Sequence, residues 1–168
     1  MRRLPPRIKG LGFILWHARH EFYHILLGLL WAWFLREWWH EFNLRWIWLS
    51  LFASLLPDVD HFFYFFTYGR KEMYAQQAKQ LLKRKQWREL SMFMEQGHKY
   101  NTNLATHNLY VMLLLLALAG MSSFIEWRVG VILFGAMIVH YVFDIFDDIF
   151  QLGYLNPNWK RWGRVRHW

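Results

Sequence analysis

LRWIWLSLFASLLPDVDH, residues 44–61, joins a continuous apolar run to a short cluster of aspartates and a histidine. The run is expected to end as a helix at Pro57, because proline lacks a backbone donor and the residue before it disfavours the helical conformation. Three further polar clusters lie at the ends of apolar runs. They are His20-Glu21-Phe22-Tyr23-His24, Thr106-His107-Asn108, and His140 with Asp144, Asp147 and Asp148. The pattern predicts apolar helices that end in groups able to bind a metal.

The composition is typical of a membrane protein. The 168 residues, read as a single domain over 1–168, are 55% hydrophobic and 21% aromatic, with 12 Trp and 15 Phe. Trp and Tyr are favoured at membrane interfaces, where one end of the ring is apolar and the other is hydrated. The chain has no cysteine, which excludes disulfides, thiolate metal sites and cysteine nucleophiles.

Hydrophobic periodicity predicts an all-α, polytopic fold with about four transmembrane helices, since a bilayer core of about 30 Å needs long apolar segments. The predicted spans are His24–Leu35, with a helix that begins as far back as Leu11, then Leu44–Leu56, Leu104–Ile125 and Val129–Phe150. Between the second and third spans, residues from about Lys71 to Gln96 predict one amphipathic helix, with Gly97 as its stop.

Basic residues are concentrated in three segments, which are 1–20, 70–99 and 153–168. The positive-inside rule then places both termini and the central amphipathic helix in the cytoplasm, as in a multi-pass protein of the inner membrane. The net charge of +8 lies beside apolar runs. This placement favours anionic membrane lipids as partners, and no nucleic acid. The basic and aromatic tail, which includes Trp159, is expected to anchor at the interface.

In this topology all four polar clusters lie on the cytoplasmic side, where they predict one metal site. His140 and Asp144 share a helix face, and an aspartate inside a span costs about 2.5–3.5 kcal/mol, which a bound cation offsets. The expected cofactor is a divalent metal, with zinc or manganese favoured. The predicted ligands are His20, His24, Asp58, Asp60, His61, His107, His140 and Asp144, and the predicted catalytic carboxylates are Glu21, Asp147 and Asp148. For Asp147 and Asp148, simple solvation among lipid headgroups is an equal alternative.

Several of these motifs resemble those of the YdjM-like family of membrane-bound, metal-dependent hydrolases. Residues 54–61, SLLPDVDH, resemble its SLLPDxDH signature. Thr106-His107-Asn108 resembles its Thr-His element, His140 to Asp144 its HxxxD helix, and His24 with Gly28 its first helix. The resemblance implies a hydrolase without naming a substrate. A His-Arg-Gly element that often precedes the Thr-His pair in the family is replaced here by Thr102, Asn103 and Leu104.

Three functions are consistent with these residues. The first is a metal-dependent hydrolase that acts at the membrane on a lipid phosphate or ester, with a metal-activated water. The second is an intramembrane zinc protease, because His20-Glu21-Phe22-Tyr23-His24 matches the HExxH pattern, in which two histidines bind zinc and the glutamate is the general base. The third is a non-enzymatic membrane scaffold or assembly factor, in which the polar clusters are structural.

Overall fold

The computed structural model describes residues 11–101 and 104–160, without the side chains of residues 11–20, 95, 96, 98, 100 and 101. The fold is all-α, as predicted. Its helices are α1 (Leu11–Trp39), α2 (Leu44–Leu55), α3 (Val59–Phe63), α4 (Met73–Lys83), α5 (Trp87–Asn101), α6 (Leu109–Phe124) and α7 (Arg128–Leu152). The ends of α1, α2, α6 and α7 that carry the predicted polar clusters meet at one end of the bundle.

The apolar run of α2 ends where the sequence predicts a break. A short 3-10 turn, Leu56–Asp58, follows α2 and contains the buried Pro57. The chain then continues as α3 and as one π-helical turn, Tyr64–Tyr68. These changes of helical pitch direct Asp58, Asp60 and His61 toward the other helices.

The central amphipathic segment differs from its prediction as a single helix. It forms two helices that pack on each other, α4 and α5. The chain breaks between them because Lys85 adopts a positive φ of 56°, a left-handed conformation that does not continue a helix. Gly97 does not end the second helix, which continues to Asn101.

Helix α7 is the centre of the bundle and packs against α6, α2 and α1. Two glycines allow α1 to approach its neighbours closely. A Cβ atom on Gly28 would lie 2.7 Å from Ser54 Oγ of α2, and one on Gly135 would overlap the ring of Trp31. The Gly28 approach also allows the Ser50 hydroxyl to donate a hydrogen bond of 2.7 Å to the Gly28 carbonyl. This close packing holds the middle of α1 beside the end of α2.

Unlike in a typical soluble protein, many polar side chains are buried and many large apolar side chains are exposed. Polar groups such as His24, His140 and Asp60 are buried, whereas Trp33, Trp48 and many other large apolar side chains are exposed. By length and composition, one described helix, α7, qualifies to cross a membrane. Helix α2 has 12 residues and α6 has 16, fewer than the ~20 that a full span needs. The predicted count of four spans is therefore not supported.

One part of the predicted interfacial tail lies inside the protein. Trp159, in the short 3-10 helix Pro157–Lys160, is buried against Tyr141 and Leu115, so its prediction as an interfacial anchor was wrong. The only local sequence signal for the position of Trp159 is its basic neighbours. The rest of the predicted anchor, residues 161–168, lies outside the described residues.

Candidate metal centre

His140 of α7 is the most constrained residue of the site. Its side chain is fully buried, and its Nδ1 atom lies 2.6 Å from the carbonyl oxygen of Ser54. Because a carbonyl oxygen only accepts hydrogen bonds, Nδ1 must carry the proton, and in the neutral ring Nε2 presents a lone pair. Nε2 faces Asp144 Oδ2 at 3.0 Å and Asp58 Oδ1 at 3.8 Å. It has no hydrogen-bond partner among the described residues.

Asp144 lies between three histidines that come from three elements. Its Oδ1 atom is 3.5 Å from His24 Nε2 of α1, and its Oδ2 atom is 3.5 Å from His107 Nε2 in the loop before α6. The rings of His24 and His140 stack with centroids 3.7 Å apart. Both ring nitrogens of His107 are buried without a hydrogen-bond partner in the described part of the chain. The carboxylate thus joins α1, α7 and the loop before α6.

Asp58 and His61 complete the cluster from the turn that follows α2. Asp58 Oδ1 lies 3.7 Å from His61 Nδ1, and the ring of His61 meets that of His107 edge-on with centroids 5.2 Å apart. The second oxygen of Asp58 is buried, and no described residue forms a hydrogen bond with it. We refer to the six converging side chains as the metal centre. They are His24, Asp58, His61, His107, His140 and Asp144.

The distances within the metal centre fit a coordinated ion. Two ligand atoms that each lie about 2.0–2.2 Å from one ion are about 3.0–3.6 Å apart at octahedral and tetrahedral angles. The contacts of Asp144 with its three histidines are 3.0, 3.5 and 3.5 Å. In three overlapping groups within the centre, all ligand atoms lie within 4.8 Å of one another. The buried Nε2 atoms of His107 and His140 face Asp144 without a hydrogen bond in the described part of the chain, so the residues present fit a divalent metal.

Asp60 has a different environment, although only Val59 separates it from Asp58. Its Oδ1 atom accepts a hydrogen bond of 2.6 Å from the Tyr68 hydroxyl. Its Oδ2 atom accepts bonds from the backbone N–H and the hydroxyl of Thr106, at 2.7 and 2.8 Å. We call Asp60, Tyr68 and Thr106 the Asp60 bracket. It fixes the loop that carries His107, whose Nδ1 lies 3.6 Å from Asp60 Oδ2.

Asp58 and Asp60 differ in pKa because of this difference in their hydrogen-bond partners. Burial raises the pKa of Asp58, and the attraction of the nearby histidines does not fully offset it. Burial also acts on Asp60, but the neighbouring His107 and the donors Tyr68 and Thr106 outweigh it and hold the pKa of Asp60 well below its ordinary value. The protein therefore already stabilises the charge of Asp60, and its role as a metal ligand stays a prediction. Asp58 has no comparable set of hydrogen-bond donors, so its charge is stabilised less.

Asp147 and Asp148 are paired with a residue that the sequence reasoning missed. Lys99 Nζ of α5 lies 2.6 Å from Asp147 Oδ2 and 2.9 Å from Asp148 Oδ1. Asp148 Oδ2 also accepts a hydrogen bond of 2.8 Å from Trp159 Nε1. No local sequence signal identifies Lys99, because it lies 48 positions before Asp147. The two carboxylates lie at the edge of the metal centre, and their catalytic role stays a prediction.

A polar cleft opens beside the metal centre. Its volume is about 50 Å³, and it is lined by Lys99, Asn156, Asn158 and Trp159 together with His107 and Asp144. A water molecule needs a cavity of about 10–15 Å³ in this measure, so the cleft has room for a few waters or one small polar group. It is too small to enclose the chains of a lipid.

The HExxH pattern is only partly described. His24 belongs to the metal centre, and Glu21 lies on α1 with a partly exposed side chain. The side chain of His20 lies outside the described residues. The described geometry supports only His24 of this motif as a member of the centre.

The comparison with known families gives one match. The sequence model of the YdjM inner membrane protein family matches residues 20–167, which contain every residue of the metal centre and of the Asp60 bracket. No curated protein and no solved structure matches the chain.

Proposed function

The chain belongs to the YdjM inner membrane protein family, and from that premise we propose that it is a membrane-bound hydrolase with a divalent metal at the metal centre. The observation that carries the proposal is the environment of His140. Its Nδ1 proton is used by Ser54, and its Nε2 atom faces two carboxylates without a hydrogen bond. A bound ion supplies positive charge that lowers the pKa of water and stabilises negative charge in the transition state.

The other residues position these ligands. The Ser54 carbonyl fixes the ring of His140, and Asp60 orients the loop that carries His107. Such outer partners fix the tautomer and the direction of a ligating histidine. The polar cleft gives water access to the ligands, and Asp147, at its edge, is proposed as a proton acceptor together with Asp148 and Glu21. The pairing with Lys99 keeps the first two carboxylates in place.

The proposed substrate is a lipid that carries a phosphate or ester group. Exposed apolar side chains on α1, α2, α6 and α7 favour a bundle surrounded by acyl chains. The cleft admits only a small polar group, so the chains of a lipid would stay in the bilayer while its headgroup reaches the ions. The preferred metal is zinc or manganese, since imidazole and carboxylate ligands suit both.

We further propose that the four apolar helices α1, α2, α6 and α7 enter the inner membrane with the metal centre facing the cytoplasm. The short α2 and α6 would then require local thinning of the bilayer or hydrated ends. The chain has no cysteine, so single introduced cysteines report sidedness cleanly. Arg84→Cys between α4 and α5, at an exposed position, is expected to react with a thiol reagent from the cytoplasmic side, and His40→Cys after α1 from the opposite side. Labelling of both from one side would contradict the arrangement.

The functional proposal is tested with purified protein in anionic phospholipid vesicles. We expect stoichiometric metal after loading with zinc or manganese, and metal-dependent release of phosphate or fatty acid that His140→Ala abolishes. His40→Ala, which changes an exposed histidine between α1 and α2, is the matched control and should retain both. Protein that holds no metal after loading would overturn the proposal. Release of phosphate or fatty acid that continues in His140→Ala would show that hydrolysis takes place at a different site.

A further inference from the structure

We infer that the metal centre holds two divalent ions that share two bridging carboxylates. The assignment is His24 and His140 for the first ion, His61 and His107 for the second, and Asp58 and Asp144 for the bridge. The inference rests on the proposed function, because it gives the number of ions in the same site. It goes further by dividing the six side chains between two positions.

The histidines fall into two pairs. His24 and His140 are stacked, with ring centroids 3.7 Å apart and an angle of 19° between the rings. His61 and His107 form the second pair, with centroids 5.2 Å apart. The distance between the pairs, measured from His107 to His140, is larger at 6.1 Å. The rings of each pair therefore lie closer to each other than the two pairs lie to one another, and Asp144 with His107 and His140 forms the group that connects them.

Each carboxylate faces histidines of both pairs. Asp144 presents Oδ1 to His24 at 3.5 Å, and Oδ2 to His140 at 3.0 Å and to His107 at 3.5 Å. Asp58 Oδ1 lies 3.8 Å from His140 and 3.7 Å from His61. A carboxylate between two sets of nitrogen ligands is placed to hold two ions at the separation of about 3.5–4 Å that is usual in two-metal sites.

Asp58 also links the two halves as a shared ligand. It forms one group of mutually close ligand atoms with His24 and His140, and another with His61 and His107, each within 4.8 Å. The buried Oδ2 atom of Asp58 has no hydrogen-bond partner among the described residues and remains available for a second bond to metal. The two groups are thus joined at a carboxylate, as a bridged pair of ions requires.

The number of ligands gives an independent reason. Zinc is usually bound by four ligands, and manganese prefers about six. Six side chains on one ion would leave no position for water or substrate, whereas catalytic sites keep an open position. Divided between two ions, the same side chains give each ion two histidines and two shared carboxylates. On manganese, which prefers about six ligands, open positions then remain toward the polar cleft.

The test uses the full chain in detergent micelles, stripped with a chelator and titrated with Mn²⁺. We expect two Mn²⁺ per chain by mass spectrometry, and an electron paramagnetic resonance spectrum with the exchange coupling of a bridged pair. His61 is partly exposed at the edge of the centre, so His61→Ala should fold, as circular dichroism would verify. This variant should bind one ion and give the spectrum of an isolated Mn²⁺. His40→Ala should match the wild type.

The outcomes separate the inference from the function on which it rests. One ion per chain in the wild type would overturn the two-ion centre and leave the proposed hydrolase intact. No bound ion would overturn both. Two ions without exchange coupling would contradict the bridging role of Asp58 and Asp144, and two coupled ions in His61→Ala would contradict the assignment of that histidine.

Discussion

Two neighbouring parts of this protein use buried carboxylates in opposite ways. In the Asp60 bracket, Tyr68 and Thr106 donate three hydrogen bonds to one aspartate. In the metal centre, Asp144 lies 3.5 Å from His107 and 3.0 Å from His140, and neither of those contacts is an aligned hydrogen bond. The protein itself supplies all the partners of the first carboxylate, whereas the second lies in a cluster that could hold a cation. Under the proposed function, the comparison separates a residue that supports the site from one that would hold its ion.

The largest expected effect comes from replacing a residue of the metal centre. His140→Ala removes the nitrogen that faces two carboxylates, and we expect metal affinity to fall by more than about 100-fold, beyond the loss typical for a supporting residue. Isothermal titration with Zn²⁺ measures the change. The exposed His40→Ala is the control. Equal affinity in the two variants would show that His140 is not a metal ligand.

Asp60→Asn tests the supporting role of the Asp60 bracket. The amide cannot accept all three hydrogen bonds as well as the carboxylate, so we expect a loss of about 2–4 kcal/mol in the free energy of unfolding, because hydrogen bonds to charged groups are strong. Metal affinity should fall about 10–100-fold, since the loop of His107 loses its support. Chemical unfolding in micelles and metal titration measure the two effects. Unchanged stability with lost metal would instead identify Asp60 as a ligand.

Metal removal should affect the two regions unequally. A ligand that binds only the folded state stabilises it by about 2.7 kcal/mol at 100 times its dissociation constant. A chelator should therefore lower the thermal unfolding midpoint of the wild type and of Asp60→Asn. The midpoint of His140→Ala should fall less than that of the wild type, because this variant lacks one of the predicted ligands. A wild-type midpoint that does not respond to chelation would show that no ion contributes to the fold.

The smallest expected effect is a difference in acid stability. The pKa of Asp60 is lowered in the folded protein, against about 3.9 in an unfolded chain. Its contribution is therefore fully present above about pH 4 and is lost as the pH falls through the folded pKa. The stability gap between metal-free wild type and Asp60→Asn should be constant between about pH 4 and about pH 5.5 and shrink below about pH 4. Unfolding midpoints across this pH range measure the stability gap. A gap that widens as the pH falls would contradict the prediction.

The sequence predicted those features that depend on local chemistry. Pro57 marked the end of α2, and the polar ends of the apolar runs indicated that His24, Asp58, His107 and His140 would meet. The antiparallel order of apolar helices was enough to bring these ends together. Spacing along the chain did not distinguish the roles of Asp58 and Asp60, because their roles depend on Tyr68 and Thr106, which are distant in sequence or unremarkable in type.

Other features depend on tertiary contacts and left no local signal. Lys99 pairs with Asp147 and Asp148 only because α5 returns to the end of α7. The break after α4 occurs at Lys85, a residue type that does not normally favour positive φ. Trp159 is buried because Asp148 accepts a hydrogen bond from its indole nitrogen. In each case the partner across the fold decides the conformation.

The most direct test of the central claim is anomalous X-ray scattering from crystals of the zinc- or manganese-loaded protein, recorded at the edge of the loaded metal. We predict a peak about 2.0–2.2 Å from His140 Nε2 and from an oxygen of Asp144. A loaded crystal with no anomalous peak among these side chains, and with His140 Nε2 instead in a hydrogen bond to a carboxylate, would contradict the account.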